Sequence, residues 1–460
     1  MLPLGPTGYG DSPYQSLSAF AGNPYVIDPD ELVSMGILDA ASANAARSEN
    51  SGKVEFGLMF TRRNALLDTA WENFSARQNS PNPTLAADFE KFRSENSFWL
   101  RDFALFSAIK ESMGNAPWSQ WPEDYKRRDQ QTLAKFSGEP THADRIGRYE
   151  FVQFLFYRQW MALHVYAKSR GVKLIGDIPI FVAYDSADTW SHAELFQLDE
   201  QLNPTKVAGV PPDYFTATGQ LWGNPLYDWP ANRRTDYAWW IARIRATFSL
   251  VDVLRIDHFR GFESYWAVPA ADTTAANGVW EKGPGIELFK AIFAELGELP
   301  ILAEDLGFMT PEVHALRDTL GFPGMKILQF AFESATDGGD YPHNFGRNCI
   351  VYTGTHDNDT SAGWFGVARP DVQARALAYT AGRPESFSWD MIRTAWASPA
   401  CIAVAPAQDL LGLGSEARMN FPGKQDGYWT WRMKDGALTQ DIADRLKNLT
   451  ATYFRTAQRA

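Results

Sequence analysis

Three short apolar runs in this chain each end in acidic residues, and longer stretches with helical periodicity lie between them. The runs cover residues 251–261 (VDVLRIDHFRG), 301–307 (ILAEDLG) and 351–359 (VYTGTHDND). Short apolar runs of this kind predict buried strands. Strands that alternate with helices and carry carboxylates at their C-terminal ends are typical of a (β/α) barrel with its active site at one face. The pattern therefore predicts an α/β protein of the barrel class.

The first run also predicts a pair of charges. Successive side chains of a strand point to opposite faces, so Arg255 and Asp257 lie on one face and Ile256 lies on the other. A neighbouring guanidinium favours the ionised form of a carboxylate, which a nucleophilic carboxylate requires and a general acid must avoid. The same pair could instead be a structural ion pair at a sheet edge, and this run alone leaves both interpretations open.

The other two runs add acidic residues at equivalent places. Glu304 and Asp305 end the second run, and His356, Asp357 and Asp359 end the third. Metal binding is a competing use for such clusters, but the chain has no HExxH motif, no thiol cluster and no calcium-loop spacing. The sequence therefore predicts a site of carboxylates, with no metal and no cofactor.

Periodicity along the rest of the chain predicts the remaining elements. Residues 54–143 are predicted to form a helical insertion, and a long helix at 144–169 precedes a strand at 172–180 that contains Asp177. Residues 182–229 are predicted to form a long aromatic active-site loop, because loops of that length in compact domains are usually functional. Further strands are predicted at 325–330, 349–355 and 401–404, and further helices at 237–248, 286–296, 311–320, 371–381, 389–397 and 440–458.

Composition narrows the classes of partner. The 460 residues carry a formal net charge of −12, which disfavours nucleic acid and anionic membranes as partners. Aromatic residues make up 14% of the chain, which suits both core packing and a groove that stacks sugar faces. Cys349 and Cys401 lie in apolar runs and are predicted to be buried free thiols, which favours a reducing cytoplasm. The chain shows neither a leader pattern nor a long apolar run, so a cytoplasmic protein is expected.

Seven motifs, in their order along the chain, resemble the 4-alpha-glucanotransferases of glycoside hydrolase family 77, which include the amylomaltases and disproportionating enzymes. The motifs are GPTGYGDSPYQS, GDIPIFV, GVPPDYFTATGQLWGNPLYDW, RIDHFRG, AEDLG, THDND and QDLLGLGSEARMNFPG. The resemblance implies a single catalytic domain over residues 1–460, a (β/α)8 TIM-type barrel with inserted helical subdomains. It also implies transfer of a segment of an α-1,4-glucan to the 4-hydroxyl of another glucan or of glucose. The expected partners are maltodextrins, fragments of starch or glycogen, and glucose.

The resemblance also implies roles for individual residues. Asp257 corresponds to the nucleophile, Glu304 to the general acid/base and Asp357 to the carboxylate that stabilises the transition state. A retaining enzyme of this type holds its two principal carboxyl groups roughly 5–5.5 Å apart. Tyr9 resembles a tyrosine at a secondary glucan site of some relatives. The substrate-binding residues that the resemblance implies are Ser12, Tyr14, Asp177, Asp213, Gln220, Trp222, Asn224, Arg255 and His356.

One departure from the family pattern leaves alternatives open. The family begins earlier, with a first strand and helix that precede the LPLGPTGYG segment, so the barrel is expected to lack these two elements. The alternative functions are an α-1,4-glucan hydrolase with the same three carboxylates, or an inactive, truncated glucan-binding protein. The aromatic loop at residues 182–229 favours transfer, since it could cover a glycosyl-enzyme, seat an acceptor and limit the access of water.

Overall fold

The chain folds into two compact units. The first comprises Met1–Ser48 and Phe56–Ile301, and the second comprises Glu49–Glu55 and Leu302–Ala460. None of the helices described combines the length and the apolar character that a membrane span needs. The computed structural model describes residues 1–48, 52–76, 83–212, 216–424 and 427–456.

Helices dominate the first unit. Their apolar faces form an aromatic core in which Phe74 and Phe151 stack with ring centroids 4.3 Å apart, and Trp71 and Phe89 pack against Phe151. The helices of this unit are α1 Pro29–Ser34, α2 Ala40–Ala45, α3 Phe56–Ala76, α4 Pro83–Glu95, α5 Leu100–Ser112, α6 Glu123–Lys126, α7 Gln130–Gly138, α8 Pro140–Ser169, α9 Ala187–Ser191, α10 Trp229–Arg234, α11 Ala238–Leu250 and α12 Ile286–Leu296.

Two kinds of β-structure occur in the first unit. Strand β1 pairs in parallel with β4, so that Asp177 lies opposite Arg255 and Pro179 lies opposite Asp257. On the other side of β4, the Leu254 N–H donates to the Pro300 carbonyl, 3.0 Å away. The remaining strands form an antiparallel sheet in the order β3-β2-β5-β6. The strands are β1 Ile175–Pro179, β2 Lys206–Val210, β3 Gln220–Pro225, β4 Val253–Asp257, β5 Ser264–Pro269 and β6 Val279–Lys282.

The second unit is also built from parallel strands and helices. Its sheet has the order β10-β9-β8 with both pairs parallel, and the Ala303 N–H at the end of β7 donates to the Pro323 carbonyl. Helices pack on this sheet through Phe332, Val372 and Met391. The elements are β7 Ile301–Ala303, within which the first unit ends, α13 Pro311–Thr319, β8 Gly324–Ile327, α14 Leu328–Glu333, β9 Cys349–Tyr352, α15 Ser361–Val367, α16 Pro370–Thr380, α17 Phe387–Ala397, β10 Ile402–Val404, α18 Ala407–Leu410 and α19 Gln440–Thr452.

The parallel strands and intervening helices confirm the predicted α/β class, but three local predictions were wrong. The range 182–229 contains β2 and β3, because β2 pairs with the distant strand β5, which local periodicity does not reveal. The strand predicted at 325–330 ends at Ile327, and α14 follows at once. Cys401 is exposed, whereas Cys349 is buried as predicted.

Close packing of the N-terminal segment on α8 generates a stability prediction. Gln153 accepts from the Gly22 N–H at 2.7 Å and donates to the Gly22 carbonyl at 3.0 Å, so this backbone cannot move away. A Cβ atom at Gly22 would lie 2.0 Å from the ring of buried Phe156. We expect Gly22→Ala to lower the free energy of unfolding by about 1–3 kcal/mol, because overpacking forces neighbours to shift. Urea denaturation measures the change.

Gly57 offers the matched control, since it lies in α3 and a Cβ atom there would meet nothing within 4 Å. Gly57→Ala should leave stability unchanged or raise it by about 0.5–1 kcal/mol, because alanine loses less backbone entropy in a helix. Equal effects of the two substitutions would contradict the packing described for Gly22.

Candidate active site

Arg255 joins two carboxylates at the C-terminal end of the β1/β4 pair. One guanidinium nitrogen lies 2.5 Å from Asp177 Oδ2 and the other lies 2.8 Å from Asp257 Oδ1. Asp177 is buried, with 8% of the residue exposed, whereas 28% of the Asp257 side chain reaches solvent. The shared face predicted for Arg255 and Asp257 is therefore observed. The guanidinium orients Asp257, and part of that side chain still reaches solvent.

Tyr14 extends this charge network. Its hydroxyl donates to Asp177 Oδ2 at 2.8 Å. Burial raises the pKa of Tyr14, and the negative charge of Asp177 raises it further. The phenol therefore stays protonated at neutral pH and keeps donating to Asp177. Tyr14, Asp177, Arg255 and Asp257, which the sequence placed in one site, form one connected chain of hydrogen bonds.

Trp222 lies against the residue that follows Asp257. Its ring meets the imidazole of His258 edge to face, with centroids 4.8 Å apart, and its indole N–H donates to Gln220 Oε1 at 3.2 Å. His258 has a left-handed backbone with φ of 52° and is buried. Burial and the nearby Arg260 charge lower the pKa of His258 to about 3, so the imidazole is neutral at neutral pH. Sequence reasoning missed His258, although it lies inside the RIDHFRG motif.

Two further residues predicted for the groove of the first unit, Asn224 and Ser12, have hydrogen bonds within that unit. Buried Asn224 donates to the Val182 carbonyl at 2.9 Å and accepts from Gln15 at 3.2 Å, so both ends of its amide hold the backbone and a neighbouring loop. Ser12 Oγ accepts from the Tyr14 N–H at 3.3 Å. Tyr9 begins a short 3-10 helix, Tyr9–Asp11. The side chain of Tyr9 and the whole of Asp213 lie outside the described residues.

In the second unit, the two acids of the AEDLG motif have different surroundings. Asp305 is buried, forms an ion pair with Arg317 and accepts from the Met325 N–H at 2.7 Å. Glu304 is also buried, and its Oε1 accepts from the Leu306 N–H at 2.8 Å. Asp305 therefore ties the end of β7 to β8 and α13, which is a structural role. The bond described for Glu304, in contrast, stays within its own loop.

Asp357 lies in the loop after β9 and is held from both sides. Its Oδ1 accepts from Asn420 Nδ2 at 2.6 Å, and its Oδ2 lies 3.4 Å from His356 Nε2. Arg418 donates to the Asp357 carbonyl at 2.7 Å. Despite these bonds, 45% of the Asp357 side chain remains exposed. The carboxylate is thus oriented but accessible, and Asn420 and Arg418 are supporting residues that sequence reasoning did not identify.

Asp409 holds the two ends of the same loop. It is fully buried and accepts from Thr353 Oγ1 at 2.5 Å, from the Ser361 N–H at 2.7 Å and from Ser361 Oγ at 2.8 Å. Burial raises the pKa of Asp409, while these donors act in the opposite direction. Its partners flank the segment that carries His356 and Asp357, so Asp409 positions both ends of that segment. Its place in the QDLLGLGSEA motif was the signal that could have revealed it.

The low pKa of His258 generates a prediction about pH. An unfolded histidine has a pKa near 6.5, so between about pH 3 and 6.5 the unfolded chain binds more protons than the folded chain. Stability is therefore lost as the pH falls through about 6.5. We expect His258→Gln to remove about 2 kcal/mol of the fall in unfolding free energy between pH 7 and pH 5. Urea denaturation at both pH values measures this difference.

Exposed His314 provides the control, because His314→Gln should keep the pH dependence of the unsubstituted chain. A constant penalty of the His258 substitution at both pH values, which means an unchanged pH slope, would show only lost packing and would contradict the low pKa of the buried imidazole.

Comparison with known proteins identifies the family. The chain matches the family model described as glycoside hydrolase family 77, 4-alpha-glucanotransferase, over residues 1–439. It is 46% identical to the 4-alpha-glucanotransferase of Thermus thermophilus, with 99% of this chain and 91% of the relative covered. It is 42% identical to that of Clostridium butyricum, with 99% and 92% covered. The fold matches amylomaltase from Streptococcus agalactiae, solved in complex with acarbose, with a TM-score of 0.93, 38% identity, and 98% and 91% of the chains covered. A family match over nearly the whole chain and identities above 40% confirm the resemblance in the motifs, and this chain therefore belongs to the 4-alpha-glucanotransferase family.

Proposed function

We propose that this chain transfers a segment of an α-1,4-glucan to the 4-hydroxyl of another glucan or of glucose, by a retaining double displacement on Asp257. The observation that carries this assignment is the bond from Arg255 to Asp257 Oδ1 at 2.8 Å, on a carboxylate that remains partly exposed. A nucleophilic carboxylate must be ionised, oriented and reachable; the adjacent guanidinium supports the first two conditions at Asp257, and its partial exposure supports the third.

In the first half of the reaction, Asp257 attacks the anomeric carbon of the donor glucan. The glycosidic bond breaks, and protonated Glu304 gives its proton to the leaving oxygen. The position of Glu304 directly after β7, held by the Leu306 N–H, supports this role. The products of this half are a glycosyl-enzyme and a shortened glucan.

In the second half, the acceptor's 4-hydroxyl attacks the glycosyl-enzyme while Glu304, now ionised, takes its proton. The bond to Asp257 breaks, and the enzyme returns to its starting state. Each of the two displacements inverts the anomeric carbon, so the α configuration is retained overall. The expected separation of the two carboxyl groups, roughly 5–5.5 Å, stays a prediction.

The remaining residues bind and orient the sugar in this proposal. Asp357, held by Asn420 and His356, accepts from hydroxyls of the reacting sugar and stabilises the charge that develops on its ring. Arg255 and Asp177 fix the nucleophile, and the Tyr14 ring lies under the sugar. We assign groove contacts to Ser12, Asp213, Gln220, Trp222, Asn224 and His356, and a secondary glucan site to Tyr9.

The barrel fold is also part of this proposal. We infer a single catalytic domain over residues 1–460, a (β/α)8 TIM-type barrel to which β1, β4, β7, β8, β9 and β10 contribute strands. The parallel pairs within each unit support this, as do the acidic residues at the end of β4 and after β7 and β9. Residues 54–143 form the helical insertion and residues 182–229 the active-site region. The cytoplasmic location stays a prediction.

Incubation with maltotriose tests the proposed function. Transfer converts maltotriose into a ladder of longer maltodextrins plus glucose, because each glycosyl-enzyme is captured by another sugar. Hydrolysis would yield only maltose and glucose, and a protein that merely binds glucans would leave maltotriose unchanged. Chromatography of the products over time separates these outcomes. A ladder of maltodextrins longer than maltotriose is the expected result.

Two substitutions separate the roles of Asp257 and Glu304. On maltotriose, Asp257→Ala should abolish turnover, and Glu304→Ala should lower it by about 10²–10⁴-fold, the usual contribution of a general acid/base. Fluoride leaves without protonation, so Glu304→Ala should still form a glycosyl-enzyme from α-maltosyl fluoride. The adduct should persist, because the base for the second step is missing. Mass spectrometry of the intact chain detects it.

Azide supplies the decisive control, because this small anion attacks without being deprotonated. It should release the adduct of Glu304→Ala as an α-glycosyl azide, which nuclear magnetic resonance identifies. Glu298→Ala, an exposed glutamate just before β7, should behave like the unsubstituted chain. An adduct on Asp257→Ala but not on Glu304→Ala, or a β-glycosyl azide, would refute the proposed roles.

A further inference from the structure

The two cysteines of the second unit lie opposite each other on neighbouring strands. Cys349 begins β9, and Cys401 directly precedes β10. The next residues along the two strands, Ile350 and Ile402, pair in parallel register. Cys349 and Cys401, one residue earlier on each strand, therefore lie opposite each other. The Cys401 N–H donates to the Cys349 carbonyl at 3.0 Å, and Cys401 Sγ donates to the same carbonyl at 3.1 Å. The side chain of Cys401 is therefore folded toward Cys349.

This arrangement suits a covalent bond between the two sulfur atoms. Neighbouring strands lie about 4.8 Å apart, and disulfides join cysteines whose Cα atoms are roughly 4.4–6.8 Å apart. A bridge between Cys349 and Cys401 therefore needs rotation of the side chains rather than movement of the strands. It would tie the start of β10 to β9, the strand that leads into the Asp357 loop.

The two thiols differ in access. Cys401 is exposed, whereas only 6% of Cys349 is exposed, and burial raises the pKa of Cys349 to about 11, with a further contribution from the nearby Cys401. An exposed thiol that lies beside a second thiol is typical of a redox-active cysteine.

We propose that Cys401 and Cys349 form a reversible oxidation site, in which Cys401 reacts first with a peroxide and Cys349 then closes a disulfide. This site lies outside the proposed catalytic machinery and does not depend on it. The order follows from access, because a peroxide reaches exposed Cys401 but not buried Cys349.

The disulfide forms in two steps. The Cys401 thiolate attacks one peroxide oxygen, the O–O bond breaks, and hydroxide leaves and is protonated to water, so the sulfur is oxidised to a sulfenic acid. Cys349 Sγ then attacks the Cys401 sulfur and the S–O bond breaks. The thiol proton of Cys349 and the departing hydroxide form a second water. A dithiol reductant restores both thiols by exchange.

Hydrogen peroxide treatment of the full-length chain tests this site. After treatment and alkylation of the remaining thiols, digestion with trypsin without reduction should yield a linked pair of peptides, residues 348–375 and 394–418, each of which contains one cysteine. Dithiothreitol should abolish the linked pair and restore two titratable thiols. Peptide mapping is needed because the ten methionines can also gain oxygen and obscure the mass of the intact chain.

Two variants identify the order of the steps. In Cys349→Ser, the sulfenic acid on Cys401 should accumulate, so dimedone labelling of peptide 394–418 should be several-fold stronger than in the unsubstituted chain. In Cys401→Ser, Cys349 should stay reduced, because it is buried. Circular dichroism confirms that each variant is folded, and Cys401→Ser still tests the order of reaction if the buried substitution prevents folding.

Three results would overturn the proposal. The first is oxidation of Cys401 to sulfinic acid in the unsubstituted chain without a linked peptide pair. The second is a bridge between two chains through Cys401, seen as a dimer on a non-reducing gel. The third is oxidation of Cys349 in Cys401→Ser at the rate seen in the unsubstituted chain, which would show that Cys349 does not depend on Cys401.

Discussion

The geometry around the proposed nucleophile depends on one guanidinium shared by two carboxylates. The parallel register of β1 and β4 brings Asp177 opposite Arg255, and strand alternation brings Asp257 to the same face two residues later. A buried Asp177 without a cation would carry a large desolvation cost, so the position of Arg255 is constrained by the fold itself. Arg255 then has a second nitrogen available, which orients the more exposed Asp257. The Arg255–Asp257 pair predicted from the sequence is therefore part of a larger network that includes the buried Asp177.

Burial and partners distinguish acids that look alike in the sequence. Asp305 and Asp409 are buried and surrounded by donors, so their charges are used to hold loops together. Asp257 and Asp357 keep part of their carboxylates in solvent. Adjacent positions in one motif can differ in their partners, since Glu304 accepts from the Leu306 N–H whereas Asp305 pairs with Arg317. The difference lies in what packs around each carboxylate.

The high aromatic content has a mainly structural explanation. Trp118, Trp190 and Trp240 are fully buried, and the first unit contains a nearly continuous set of aromatic contacts around α3, α4 and α8. Large rigid side chains bury much apolar surface for little loss of side-chain entropy, which suits a unit built from many helices. Trp222 differs, since it packs beside His258 next to the proposed nucleophile. Composition alone could not divide the aromatic residues between core and groove.

Local pattern in the sequence determined the α/β class, most helices, the common face of Arg255 and Asp257, and the order of the motifs that identify the family. These features depend on periodicity and on residues close together in the chain. Tertiary structure decided the pairing of β2 with β5, the exposure of Cys401 and the hold of Asn420 on Asp357. In each case the residues that come together are separated by some 50 positions or more in the sequence. Local periodicity does not encode such partners, because burial and hydrogen bonding arise only when distant segments pack together.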